Sequence, residues 1–151
     1  MKNLYFEDFE VGMKVESSAR TITEADIVMF AALTGDWNPI HTDAEFAKKT
    51  IFGQRIAHGL LTLSVVAGLL VRLGLTERTI VAFYGIDKLR FTKPVFIGDT
   101  IKAVLEVIGK EEKEGKPYGV VAYDIKGVNQ RGETVITYTS RVAVLKKHSQ
   151  A

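Results

Sequence analysis

From Ile80 onward the chain alternates between apolar and polar positions. Ile101, Ala103, Leu105 and Val107 interleave with Thr100, Lys102 and Glu106. Tyr123 and Ile125 interleave with Asp124 and Lys126. Ile136, Tyr138, Val142 and Val144 interleave with Thr137, Thr139, Arg141 and Ala143. A period of two predicts half-buried antiparallel strands. The segments EEKEGKP and NQRGE between them are polar turns. Gly127, inside a strand pattern, predicts a bulge or bend.

Upstream the period changes. One short strand is predicted around Lys14 to Arg20. In TITEADIVMFAALTG, Ile27, Phe30 and Ala31 recur at helical spacing. Thr23 is the predicted N-cap, Glu24 and Asp26 suit the first turn, and Gly35 is a natural stop. Thr42 and Glu45 form the S/T-x-x-E pattern of a capping box, so a second, short helix should begin after Thr42. KKTIFGQRIA reads as irregular. HGLLTLSVVAGLLVRLGL is apolar on every side for about three turns, which predicts a helix buried all round. Its length argues against a strand. One such helix plus about five long antiparallel strands gives an α+β fold. The sheet must cover its apolar face, and the simplest solution curls it around the helix, the hot-dog arrangement.

Composition narrows the function. The 151 residues fit a single domain, 1–151. The net charge is +2, with no basic stripe interleaved with aromatics, so nucleic-acid binding has no support. The chain has no cysteine, which removes disulfides, thiolate metal sites and a thiol nucleophile. MKNLYFEDFEVG lacks the basic start and apolar run of a signal peptide. The greasy run Gly59 to Val71 is too short for a membrane span. The expectation is a soluble, cytoplasmic protein.

The loop GDWNPIH, Gly35 to His41, holds the best candidates for chemistry, Asp36 and His41. Pro39 fixes its own φ and pushes Asn38 toward extended conformations. Asp36 and Asn38 can both close local turns. A short, stiff loop holds two polar side chains in one orientation. Apolar helices on both sides should turn part of it toward a low-dielectric interior. His41 is placed just before the N-cap of the short helix, where a cation is disfavoured, so it is expected to be neutral and able to accept a proton.

A second constellation is Ala57-His58-Gly59, where the apolar helix begins. The Gly59 amide could meet a carbonyl oxygen as an oxyanion-type donor. Equally, Gly59 could serve only close packing of helix on sheet. His58 reads as structural. Three histidines without His-x-x-x-His or HExxH spacing give no zinc site. Ser64, inside the apolar helix, is expected to bond a backbone carbonyl. Nucleotide-binding glycine motifs and G-x-S-x-G are absent.

Phe30 to His41, followed by Asp43 and Phe46-Ala47, resembles the hydratase motif of the MaoC-like, (R)-specific enoyl-CoA hydratases. The similarity continues through Ile56-Ala57-His58-Gly59-Leu60-Leu61 and resumes at Leu89 to Asp99. The resemblance implies a hot-dog fold, a homodimer joined edge to edge through its sheets with larger homo-oligomers in some members, and reversible hydration of a trans-2-enoyl-CoA to a (3R)-3-hydroxyacyl-CoA. It makes Asp36 and His41 the pair that binds and activates water, Gly59 the amide that polarises the thioester, and Asn38 the residue that orients the pair. No cofactor is implied beyond the acyl-CoA substrate itself. Some members carry a supporting serine in the long helix, at the position of Ala67 here, with Ser64 one turn earlier as its possible substitute. Leu70 is a candidate for the acyl tunnel, and Lys88, Arg90 and Lys93 for CoA phosphates. The competing activities are a hot-dog acyl-CoA thioesterase and a non-catalytic acyl-CoA or acyl-carrier binding subunit.

Overall fold

A computed structural model describes residues 2–148. Six antiparallel strands form one sheet. Two are short, β1 (Lys14–Glu16) and β2 (Arg20–Thr21); four are long, β3 (Ile80–Phe91), β4 (Thr100–Glu111), β5 (Tyr118–Val128) and β6 (Thr134–Leu145). The order is β1-β4-β5-β6-β3, and β2 also pairs with β4. The five long strands predicted are therefore four long and two short. The single strand predicted from Lys14 to Arg20 is broken at Ser17, whose Oγ accepts from the Ala103 amide at 2.8 Å, so a side chain replaces a backbone acceptor.

The period-two pattern of β4 is realised fully: Ile101, Ala103, Leu105 and Val107 are all buried, and the residues between them are half-exposed. Three shorter helices, α1 (Glu24–Thr34), α2 (Pro39–Thr42) and α3 (Ala44–Lys48), precede the longest, α4 (Gly59–Val71). The concave face of the sheet wraps α4. This is the hot-dog arrangement that the patterning predicts. Helix and sheet touch at Gly127. A Cβ there would lie 2.6 Å from Ile136 Cγ2 and 2.9 Å from Val66 Cγ2. The register shifts between Gly127 and Val128, which is the predicted bulge.

α1 starts and stops where its sequence dictates. Asp26 N donates to Thr23 Oγ1, and Thr23 N donates to Asp26 Oδ2. Gly35 is left-handed at φ 79° and its N–H closes on Ala31 O at 2.8 Å. The next helices differ from expectation. Pro39 opens α2, with Asn38 as its cap, so Thr42 is already helical and cannot cap α3. Thr42 Oγ1 instead donates to Trp37 O at 3.0 Å. Asp43, in extended conformation, caps α3 through Phe46 N.

α4 is not buried all round. Leu61, Thr62, Val65, Val66 and Leu69 are buried, but Leu60, Ser64, Gly68 and Val71 form an exposed stripe. A second exposed apolar surface lies on β3, the free edge of the sheet, at Ile80, Val81, Phe83, Tyr84 and Phe91. No described helix is long and apolar enough to cross a membrane.

Candidate active site

The loop between α1 and α2 is braced from the far side of the chain. His41 Nδ1 lies 2.8 Å from Ile56 O, and His58 Nε2 lies 2.9 Å from Asp36 O. A carbonyl only accepts, so each of these nitrogens carries the hydrogen. In a neutral ring the lone pair would then lie on Nε2 of His41 and on Nδ1 of His58. The two rings stack with centroids 3.9 Å apart. Phe30, on α1, packs against the other side of His58 at 4.9 Å.

Within the loop, Asp36 Oδ1 accepts from Asn38 N at 3.2 Å. Asn38 Oδ1 accepts from Ile40 N and caps α2. Asn38 therefore shapes the turn that carries His41. The pair is brought together: Asp36, His41 and His58 each offer one ligand atom, and these atoms lie within 4.8 Å of one another. Such a donor set invites a metal. The rings, however, are stacked, at 27° to each other. Zinc would need both imidazole nitrogens converging at about 2.0–2.1 Å, which nearly parallel stacked rings do not favour. The arrangement suits a water held by Asp36 and His41.

Two details differ from the sequence expectation. His41 does not precede a helix N-cap but is the third residue of α2, so the dipole argument made from sequence does not apply to it. The bond to Ile56 O instead engages Nδ1 and leaves Nε2 without a protein partner among the described residues. The loop also does not face the interior of the single chain. Residues 36–39 are exposed and His41 is half-buried.

His58, read from sequence as structural, is the residue underestimated there. It is 2% exposed, supports the Asp36 backbone and stacks on His41. Its Nδ1 is the one sealed polar side-chain atom without a partner among the described residues. A signal existed: His58 occupies an N-cap position that ordinarily holds Ser, Thr, Asp or Asn.

His58 caps α4 with no side-chain hydrogen bond, so the first amides of that helix, beginning with Gly59, are not capped from within. Gly59 lines a cleft of about 340 Å³ with Phe91, Thr62 and Val95. A Cβ on Gly59 would sit 3.0 Å from the Phe91 ring, so the packing reason for glycine is real. Ser64 Oγ donates to Leu60 O at 2.8 Å, on the exposed stripe of α4. It is bound to its own helix and does not brace Asp36. Lys93 is committed to Glu133 at 2.7 Å. Leu70 and Ala67 line a separate cavity, under the far end of α4.

The MaoC like domain family matches residues 8–129. Protein MaoC of Klebsiella aerogenes is 46% identical over 101 residues, 67% of this chain and 30% of that protein; the chain thus spans under a third of that relative. The (R)-specific enoyl-CoA hydratase of Aeromonas caviae is 36% identical over 131 residues, 87% of this chain and 92% of that one. A solved structure described as a monoamine oxidase regulatory protein from Archaeoglobus fulgius superposes with a TM-score of 0.91 at 46% identity, covering 97% of each chain. With four-fifths of its length matched, and the hydratase loop, Ala-His-Gly helix start and curved sheet in place, the chain belongs to the MaoC-like domain family.

Proposed function

We propose that the protein is a hydro-lyase that reversibly hydrates a trans-2-enoyl-CoA to the (3R)-3-hydroxyacyl-CoA. The observation that carries this is the meeting of Asp36 and His41 on one braced loop, with His41 Nδ1 held by Ile56 O. Nε2 is then the free base. Asp36 and His41 hold one water. As its oxygen adds to C3, its proton passes to the pair, and electrons move into the thioester as an enolate. The Gly59 amide donates to that enolate oxygen. The pair then returns a proton to C2, so the sum is H and OH across the double bond. The A. caviae relative's name supports this reaction class. No metal or redox group is needed for these steps.

The working unit is a homodimer formed through β3. A twelve-residue free edge carrying Ile80, Val81, Phe83 and Tyr84 is an association site unless covered. Pairing two copies about a two-fold axis makes β3 antiparallel to itself. A register that overlaps the whole strand sets Ile80 of one copy across from Phe91 of the other. Phe91 lies on Gly59, and Ile80 lines the cavity at Leu70. An acyl chain whose thioester sits at one copy's Gly59 can thus run into the other copy's cavity.

Purified protein with crotonyl-CoA should yield a retained thioester with a new (3R) hydroxyl. Asp36→Asn and His41→Ala should each lower kcat by at least about a hundredfold with the fold intact. Release of free CoA would identify a thioesterase instead.

A further inference from the structure

The cavity under the far end of α4 is small, about 120 Å³, and is walled by Leu70, Ile80 and Phe83 among others. Its floor is the concave face of β5 and β6, and that floor is not apolar. Tyr123 pairs directly with Ser140 across the two strands, and Tyr138 pairs with Ile125, the next position on the same face. These three hydroxylated residues line the cavity, as does the half-buried Thr76. Tyr123, Tyr138 and Ser140 are each 6% exposed or less.

None of the three hydroxyls makes a hydrogen bond among the described residues, although buried polar groups nearly always do. Nor are they sealed in, since His58 Nδ1 is the one sealed unpartnered atom. The oxygens keep some accessible surface, and they belong to residues that line the cavity. Burial raises the phenols of Tyr123 and Tyr138 above the ordinary range, so both keep their protons and can donate. No charged side chain lines the cavity. A carboxylate or ammonium there would be desolvated without a counter-charge.

Resting on the hydratase assignment, we propose that this cavity receives the far end of the acyl chain and selects chains that carry an uncharged hydrogen-bonding group there, a hydroxyl, keto or ether oxygen. At about 30 Å³ per small heavy atom, the space holds about four such atoms. A short chain with one oxygen near its end fits this volume and satisfies the hydroxyls. A plain alkyl end fits the volume but leaves them unpaired. Mouth and floor serve different ends: the apolar rim at Leu70 and Phe83 admits a hydrocarbon segment, and the three hydroxyls read the group beyond it.

The test compares kcat/KM for trans-2-enoyl-CoAs of six to eight chain atoms. Each plain chain is matched to one of equal length bearing a hydroxyl or keto group at C5, C6 or C7. Crotonyl-CoA, with no chain beyond C4 to carry a terminal oxygen, reports the hydration chemistry by itself. The expected result is that at least one oxygenated chain exceeds its plain counterpart by about tenfold or more. In Tyr123→Phe, Tyr138→Phe and Ser140→Ala, read as the ratio of the two substrates within each variant, that preference should shrink to less than about threefold in at least one. The ratio does not depend on how much folded enzyme each variant yields. Turnover of crotonyl-CoA with no preference for any oxygenated chain would overturn this proposal and leave the hydratase assignment standing. No turnover of any enoyl-CoA would overturn both.

Discussion

Gly59 has two reasons to be glycine, and they can be separated. One is steric: a Cβ would lie 3.0 Å from the Phe91 ring. The other is the donor role assigned to its amide. Gly59 is the first residue of α4, a position whose N–H has no partner within the helix and where proline is readily accommodated. His58 before it has φ −56° and ψ 138°, the extended conformation that a following proline requires. Gly59→Pro therefore deletes one N–H without breaking the helix. The clash with Phe91 is removed by working in a Phe91→Ala background. The comparison is then Gly59→Pro/Phe91→Ala against Gly59→Ala/Phe91→Ala. Both carry a Cβ, both lack the ring, and only the second keeps the amide hydrogen. Loss of one preorganised donor costs about 10²–10³ in kcat, or ~2.7–4 kcal/mol. Stability of the two should agree within about 1 kcal/mol, since the lost N–H makes no intrahelical bond. The assay is the disappearance of the conjugated thioester of crotonyl-CoA, with thermal melts on the same samples. Equal kcat in the two double variants would refute the donor role and leave Gly59 as a packing residue only.

Gly127→Ala forces a methyl against Ile136 and Val66, at 2.6 and 2.9 Å, and should cost about 1–3 kcal/mol by denaturant midpoint. Hydrogen bonds from Lys93, Arg131 and Asn129 hold the Glu133 carboxyl at about 2, below its ordinary 4.5. The folded state is the more acidic, so this stabilisation is present above pH 4.5 and lost as pH falls toward 2; acid unfolding of Glu133→Gln should be shallower across that window than that of the parent protein. Val81→Lys places a charge on the free edge of β3, and sedimentation should show a monomer with much reduced turnover. An unchanged dimer would remove β3 from the interface.

Features governed by near neighbours in the chain were legible in the sequence. Thr23 and Asp26 close their box, Gly35 turns left-handed, and β4 alternates because each depends on residues within a few positions. Asp36 and His41 were visible for the same reason, being five residues apart on a proline-stiffened loop. The Thr42 cap failed because Pro39 nucleates a helix earlier than the capping-box pattern suggests, and Asp43 takes the cap instead. His58 was undervalued because its role is made by tertiary contacts, to a carbonyl 22 positions away and to a ring 17 positions away. The open stripe of α4 carried no sequence warning. An apolar side chain has the same periodicity whether its own sheet or another chain covers it.

Catalysis by an acid–base pair needs fixed geometry, and exposed loops are ordinarily its weakest source. Here the loop is held by two crossed bonds: His41 reaches to Ile56, and His58, two residues along, reaches back to Asp36. The first bond fixes the His41 ring, the second fixes the Asp36 backbone, and the two rings stack on each other. The brace also uses one nitrogen of each imidazole and leaves the other, so the same contacts that fix position also fix where His41 can take a proton. What the brace does not supply is exclusion of water, because residues 36–39 stay exposed in the single chain. Positioning and desolvation thus have separate origins: the first is encoded within residues 36–58, and the second is not supplied by the single chain.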